Sequence, residues 1–141
     1  MEKIIKNTLG GTNDYLYPVF RILIGLMFFQ HGAQKVFGFF GGIDGQGGTV
    51  PNIWSLFGWA GLIELAVGAV LVLGIFVRLA ALVAAIEMVV AYFMAHFPNG
   101  FYPVLNGGEL AVMFFAAFLV MIAKGSGKWS FEKAILGREI F

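Results

Sequence analysis

Four stretches of about twenty residues, 18–37, 54–76, 79–97 and 104–123, are apolar almost all the way round, and little chain is left over for anything else. At about 1.5 Å rise per residue, a helix of that length reaches across a hydrocarbon core of roughly 30 Å. Backbone groups in lipid must be bonded within their own segment, and the alternation of a membrane barrel strand is missing, so each stretch is expected to be a helix. The sequence therefore predicts an all-α fold: an integral membrane four-helix bundle forming a single domain over 1–141, embedded in a lipid bilayer. Composition points the same way. The chain is 60% hydrophobic and 12% charged, with mean hydropathy +0.87, against roughly 45–50% and 25% in soluble domains. A soluble domain this small could not hide that much apolar surface, and a disordered chain has the opposite balance.

The few cations set the orientation. Lys3 and Lys6 precede the first segment, Arg78 lies in the turn between the second and third, and Lys124, Lys128, Lys133 and Arg138 follow the fourth. In a four-span chain these places share one side, and the opposite side has only Lys35. The positive-inside rule then puts both termini of this multi-pass chain in the cytoplasm. The tail, 129–141, reads as a short amphipathic helix on the cytoplasmic surface, with Ser130 as its N-cap.

Other classes fall away. With a net charge of +1 and no basic face, nucleic acid is not an expected partner. There is no cysteine, so a thiolate nucleophile, a disulfide relay and a cysteine-ligated cluster are excluded, and any redox chemistry has to use a borrowed cofactor. The loop 38–53 has six glycines but no G-K-[S/T], so it reads as a cap over the outer end of the bundle, with Phe39 and Phe40 dipping inward, and not as a phosphate loop.

Ionisable groups inside a span cost roughly 2.5–3.5 kcal/mol each at mid-helix, which makes each one a candidate functional residue. The first segment holds Arg21, His31 and Lys35 together with the uncharged Gln30 and Gln34, the second Glu64, the third Glu87 and His96, and the fourth Glu109. Arg21, Gly25, Phe28, Gly32 and Lys35 recur at helical spacing, so one face carries both cations. Glu64 lies within a stripe of Gly58, Gly61 and Gly68, and Glu87 within one of Ala80, Ala84 and Ala91. Small-residue faces allow close approach, so both acids are expected to point at neighbouring helices, near mid-membrane. Buried Lys–Glu or Arg–Glu pairs can equally serve only to fix register. His96, nine residues from Glu87, is half a turn round an α-helix from it, and the two are not expected to share a face. A haem between His31 and His96, or a metal on His31, Glu64 and Glu109, would rest on very few ligands, and no metal site is assigned.

The strings H-G-A-Q-K-V-F-G-F-F-G-G at 31–42, E-L-A-V-G-A-V-L-V-L-G-I-F-V-R at 64–78 and G-S-G-K-W-S-F-E at 125–132, with Arg21 before them, closely resemble the DoxX family of small four-helix membrane proteins. That family often has Asp where this chain has Glu132. The resemblance implies a link to quinone-dependent oxidoreductases, although most members have no established reaction. The expectation is a bundle interior that binds a small lipophilic molecule, quinone-like, as part of an oxidoreductase. Arg21, His31, Gln34, Lys35 and Glu109 would hold the ligand, and Glu64 and Glu87 would relay protons. Two other classes remain open. One is a transporter of small solutes or protons; the other is a non-catalytic accessory subunit, docked on a redox enzyme or assembled as a homo-oligomer.

Overall fold

The computed structural model describes residues 2–140, with side chains of the first helix from Tyr15 onward. Lys3, Lys6 and Phe141, used above for orientation and tail, lie outside the described residues and side chains. Among the described residues the α-helices are α1 (Glu2–Phe37), α2 (Leu56–Leu73), α3 (Val77–Ala91), α4 (Pro103–Asn106), α5 (Glu109–Lys124) and α6 (Phe131–Leu136), and no strand forms. Three stretches are long and apolar enough to cross a membrane: Tyr15–Phe37 of α1, Leu56–Leu73, and Val77–Asn99, in which α3 continues through a π turn at Tyr92–His96 and a 3-10 turn at Phe97–Asn99.

Local signals set the helix ends. Ser55 caps α2 by accepting from the Gly58 amide at 3.1 Å. Gly74, at φ 70°, closes it with the Gly74 N–H on Leu71 O and the Ile75 N–H on Val70 O, the paired bonds of a glycine-terminated helix. The expected helix over 54–76 is thereby trimmed at both ends, and α3 begins two residues before the expected 79. The stretch expected as one helix over 104–123 is broken. Gly107 turns the chain at φ 73°, the Asn106 side chain accepts from the Gly108 amide at 2.8 Å, and a new helix starts at Glu109. α5 has 16 residues and buries Ala111, Phe114, Ala117, Phe118 and Met121.

The glycine stripes do what the spacing predicts. A Cβ on Gly32 would lie 2.5 Å from Leu65 N and 2.7 Å from Gly61 O, and one on Gly25 would lie 3.0 Å from Val72 N. Gly61 abuts Lys35, and Gly68 abuts Phe29. α1 and α2 thus touch backbone to backbone, an approach that only small residues permit. α3 packs its alanine face on α5, around Phe28, Leu71, Val77, Ala81, Phe118 and Met121.

The segment 125–132 ties together the end where the α2–α3 turn lies. Arg21 is fully buried there and donates to the carbonyls of Ser126, Lys128 (3.4 Å) and Trp129 (2.8 Å), while Tyr17 donates to Gly125 O. Ser130 Oγ donates to Gly74 O at 2.7 Å, and the buried Glu132 accepts from the Phe76 amide at 3.1 Å, supplying the cap that α3 lacks locally. Glu139 accepts from the Ser126 amide at 2.7 Å. Burial raises the Glu139 carboxyl, but that amide, Lys133 and Arg78 together hold it below its usual value.

At the other end, the 38–48 loop is pinned by Gln34 Nε2 donating to Gly42 O at 2.8 Å and by Asp44 Oδ1 accepting from Gln46 N and Gly48 N, each at 2.8 Å. Those amides keep the Asp44 carboxyl below its ordinary value. Phe39 and Phe40 are 58% and 68% exposed. They are not packed into the bundle, and Phe40 itself takes a left-handed turn at φ 55°.

Gly32→Val would drive a branched side chain into the Leu65 and Gly61 backbone, which cannot rotate away. We expect a loss of about 1–3 kcal/mol or more, the range for overpacking a tight contact. It would be read as a lower thermal midpoint of the detergent-solubilised protein, and an unchanged midpoint would refute the close contact.

Candidate functional site

Near their shared turn α2 and α3 are packed shut around Leu71, Val77 and Ala81. Farther from it they flank a cleft of ≈ 660 Å³, which is lined by Glu64 and Trp59 of α2, Ile86 and Glu87 of α3, His31 and Lys35 of α1, and Phe114 of α5, among others. The side chains at its rim, Leu56, Trp59, Ile86, Val90 and Met94, are all exposed and apolar. In a bilayer this rim faces hydrocarbon, so the cleft is entered most readily from the side.

The polar groups sit deeper. Lys35 Nζ lies 2.5 Å from Glu64 Oε1, with side-chain exposures of 16% and 5%, and 4.9 Å from the centroid of the Phe57 ring. The glycine contact makes the pair: Lys35 leaves α1 against Gly61, and Glu64 lies one turn further along α2. Glu87, 9% exposed, has no hydrogen-bond partner on either carboxylate oxygen, and Glu64 Oε2 has none either.

His96 joins the same cleft, contrary to the half-turn expectation. The π turn at Tyr92–His96 adds one residue to a helical turn. The extra residue rotates the chain beyond it by about 100°, the angle one residue occupies on an α-helix, and brings His96 back toward the Glu87 side. Its Nδ1 lies 3.3 Å from Asn106 O. No residue pattern marks this turn, and nothing in the sequence would have shown it.

The structure thus brings His31, Lys35, Glu64 and Glu87 to one cleft. The other three expected residues lie elsewhere. Arg21 belongs to the clamp at the opposite end. Gln34 holds the glycine loop. Glu109 is exposed in the first turn of α5, where the Gly107–Gly108 break leaves it outside the cleft lining. Among the described residues no group of three or more His, Asp or Glu is disposed to hold a metal ion. Ser130 caps α6 as expected, accepting from the Lys133 amide at 3.2 Å, but sequence reading missed its bond to Gly74 and the role of Glu132, whose partners lie 56 residues away.

Lys35→Met would leave Glu64 as an unpaired buried charge, and should destabilise the solubilised protein by about 3–5 kcal/mol. Adding Glu64→Gln should restore most of that loss, and adding Glu109→Gln should restore none. Equal rescue by both would show that the ion pair does not control stability.

In comparison with known proteins, the family model for DoxX matches residues 17–97. A protein of Haemophilus influenzae described only as uncharacterized is 36% identical over 124 residues, spanning 86% of this chain and 91% of that one. No solved structure matches.

Proposed function

The chain belongs to the DoxX family, and from that premise we propose that it binds a small lipophilic, quinone-like molecule in the cleft between α2 and α3 and handles protons for it. One observation carries this reading. Titratable side chains from α1, α2 and the extended α3 converge on a single apolar-walled, laterally open space of ≈ 660 Å³, within the roughly 300–1,000 Å³ of small-molecule sites. Lys35 and His31 are the groups able to donate to a ring carbonyl, and Glu87, free of any protein partner, is the group able to give or take the proton that accompanies an electron. The electrons themselves would come from a partner redox enzyme.

In this reading the protein sits in the bacterial inner membrane with four crossings. α5 is the fourth: its 16 residues span about 24 Å at 1.5 Å per residue, shorter than a core of roughly 30 Å, a mismatch met by local thinning of the bilayer and by snorkelling of flanking side chains. Both termini are then cytoplasmic, and the cleft lies in the outer half of the bilayer. An Asp44→Cys variant should accordingly react with an impermeant thiol reagent in intact cells while a Lys128→Cys variant does not. The reverse pattern would invert the topology.

Glu64 is committed to Lys35, so the test of ligand handling falls on Glu87. Decylubiquinone titrated onto the detergent-solubilised protein should bind saturably, one per chain. Glu87→Gln keeps shape and hydrogen bonding but cannot titrate; it should insert and unfold like the parent and weaken binding or abolish quinone-linked proton uptake. Full retention of both in Glu87→Gln would leave the acids with a structural role alone.

A further inference from the structure

The cleft contains one acid more than its ion pair can neutralise. Lys35 is bonded to Glu64, and Glu87 is 9% exposed with neither oxygen bonded. The other titratable groups that line the cleft are His31 and Lys35 from α1, Glu64 from α2 and His96 from the end of α3. α5 contributes Leu110, Ala111 and Phe114, which carry no charge. A carboxylate held in a bilayer without a counter-charge is costly, and it relieves that cost by taking a proton or a cation.

The walls favour a particular kind of cation. Phe28, Phe57, Trp59 and Phe114 line the same space, and the faces of such rings attract positive charge. One already does, with the Lys35 ammonium 4.9 Å from the Phe57 centroid. The exposed apolar rim of Leu56, Ile86, Val90 and Met94 admits molecules already dissolved in the bilayer, and a small hydrated ion would find no polar entry there.

We propose that this cleft is a binding site for lipophilic organic cations, alkylated or arylated ammonium and phosphonium ions, which exchange with a proton on Glu87. The site does not rest on the quinone reading, since nothing in it requires redox chemistry. Binding one cation releases one proton. Affinity therefore rises about tenfold per pH unit wherever free Glu87 is protonated, and levels off where it is ionised.

Tetraphenylphosphonium and tetraphenylborate have the same shape and opposite charge, which makes them the discriminating pair. Equilibrium dialysis of the full chain in a neutral detergent should show saturable binding of one tetraphenylphosphonium per chain, with no competition from tetraphenylborate. The tenfold slope with pH should persist in His31→Gln and His96→Gln. Glu87→Gln should lose both the binding and the slope, Glu87→Asp should keep the slope at weaker affinity, and Glu109→Gln should match the parent. If Glu87→Gln does not fold, Glu87→Asp and the pH slope still decide. Equal binding of the borate, a flat pH response, or a slope that vanishes with either histidine would overturn the proposal. Failure of the phosphonium alongside saturable decylubiquinone binding would sink this site and leave the proposed function standing, and the reverse result would do the opposite.

Discussion

The backbone contact between α1 and α2 is the constraint on which the rest of the architecture depends. With no Cβ at Gly32 and Gly68, where a methyl group would lie 2.5 Å from the facing backbone, and with tight contacts at Gly25 and Gly61, the two helices close to a separation that side chains would prevent. That closeness lays the Lys35 stem along α2 and lets its ammonium reach Glu64. It also occupies the small-residue face of α2, so α2 has none left for α3. α3 turns its own alanine face to α5 instead. Two tight pairs result, α1 with α2 and α3 with α5, and the cleft is the space between the pairs at the end away from the α2–α3 turn.

Much of this was legible in the sequence because membrane helices encode their contacts simply. Length and apolarity marked the three stretches that are long enough to cross a membrane. Glycine and alanine at helical spacing marked the close faces, and an acid set inside such a face had to point at a neighbour. The features that could not be read have physical reasons. The break before α5 depends on Gly107 taking a left-handed conformation and on Asn106 capping the turn, and a run of apolar residues on either side conceals it. That break moved Glu109 out of the cleft. The π turn that moved His96 into it leaves no mark in composition or period. Arg21 was placed correctly on the stripe of Gly25, Phe28 and Gly32, but stripe geometry names a face and not a partner. Its partners are main-chain carbonyls more than a hundred residues away.

The two ends of the bundle treat buried charge in opposite ways, and that contrast identifies the end at which to look for function. At the Arg21 end, a guanidinium is met by three carbonyls, a carboxylate from Glu132 caps α3, and the hydroxyls of Tyr17 and Ser130 reach Gly125 and Gly74. The polar groups left over there, Arg21 Nε and Ser126 Oγ, lie outside the cleft lining and belong to side chains otherwise built into the clamp. A network in which most polar groups are bonded in this way rigidifies. At the cleft end, three of the four carboxylate oxygens of Glu64 and Glu87 have no partner, although an apolar residue at position 87, which has no ion-pair partner to strand, would remove its desolvation cost. Register is already set by the glycine contact and by the clamp, so a second acid is not needed to fix it. An acid retained beside a laterally open, aromatic-lined cleft is better explained by what enters that cleft than by what surrounds it.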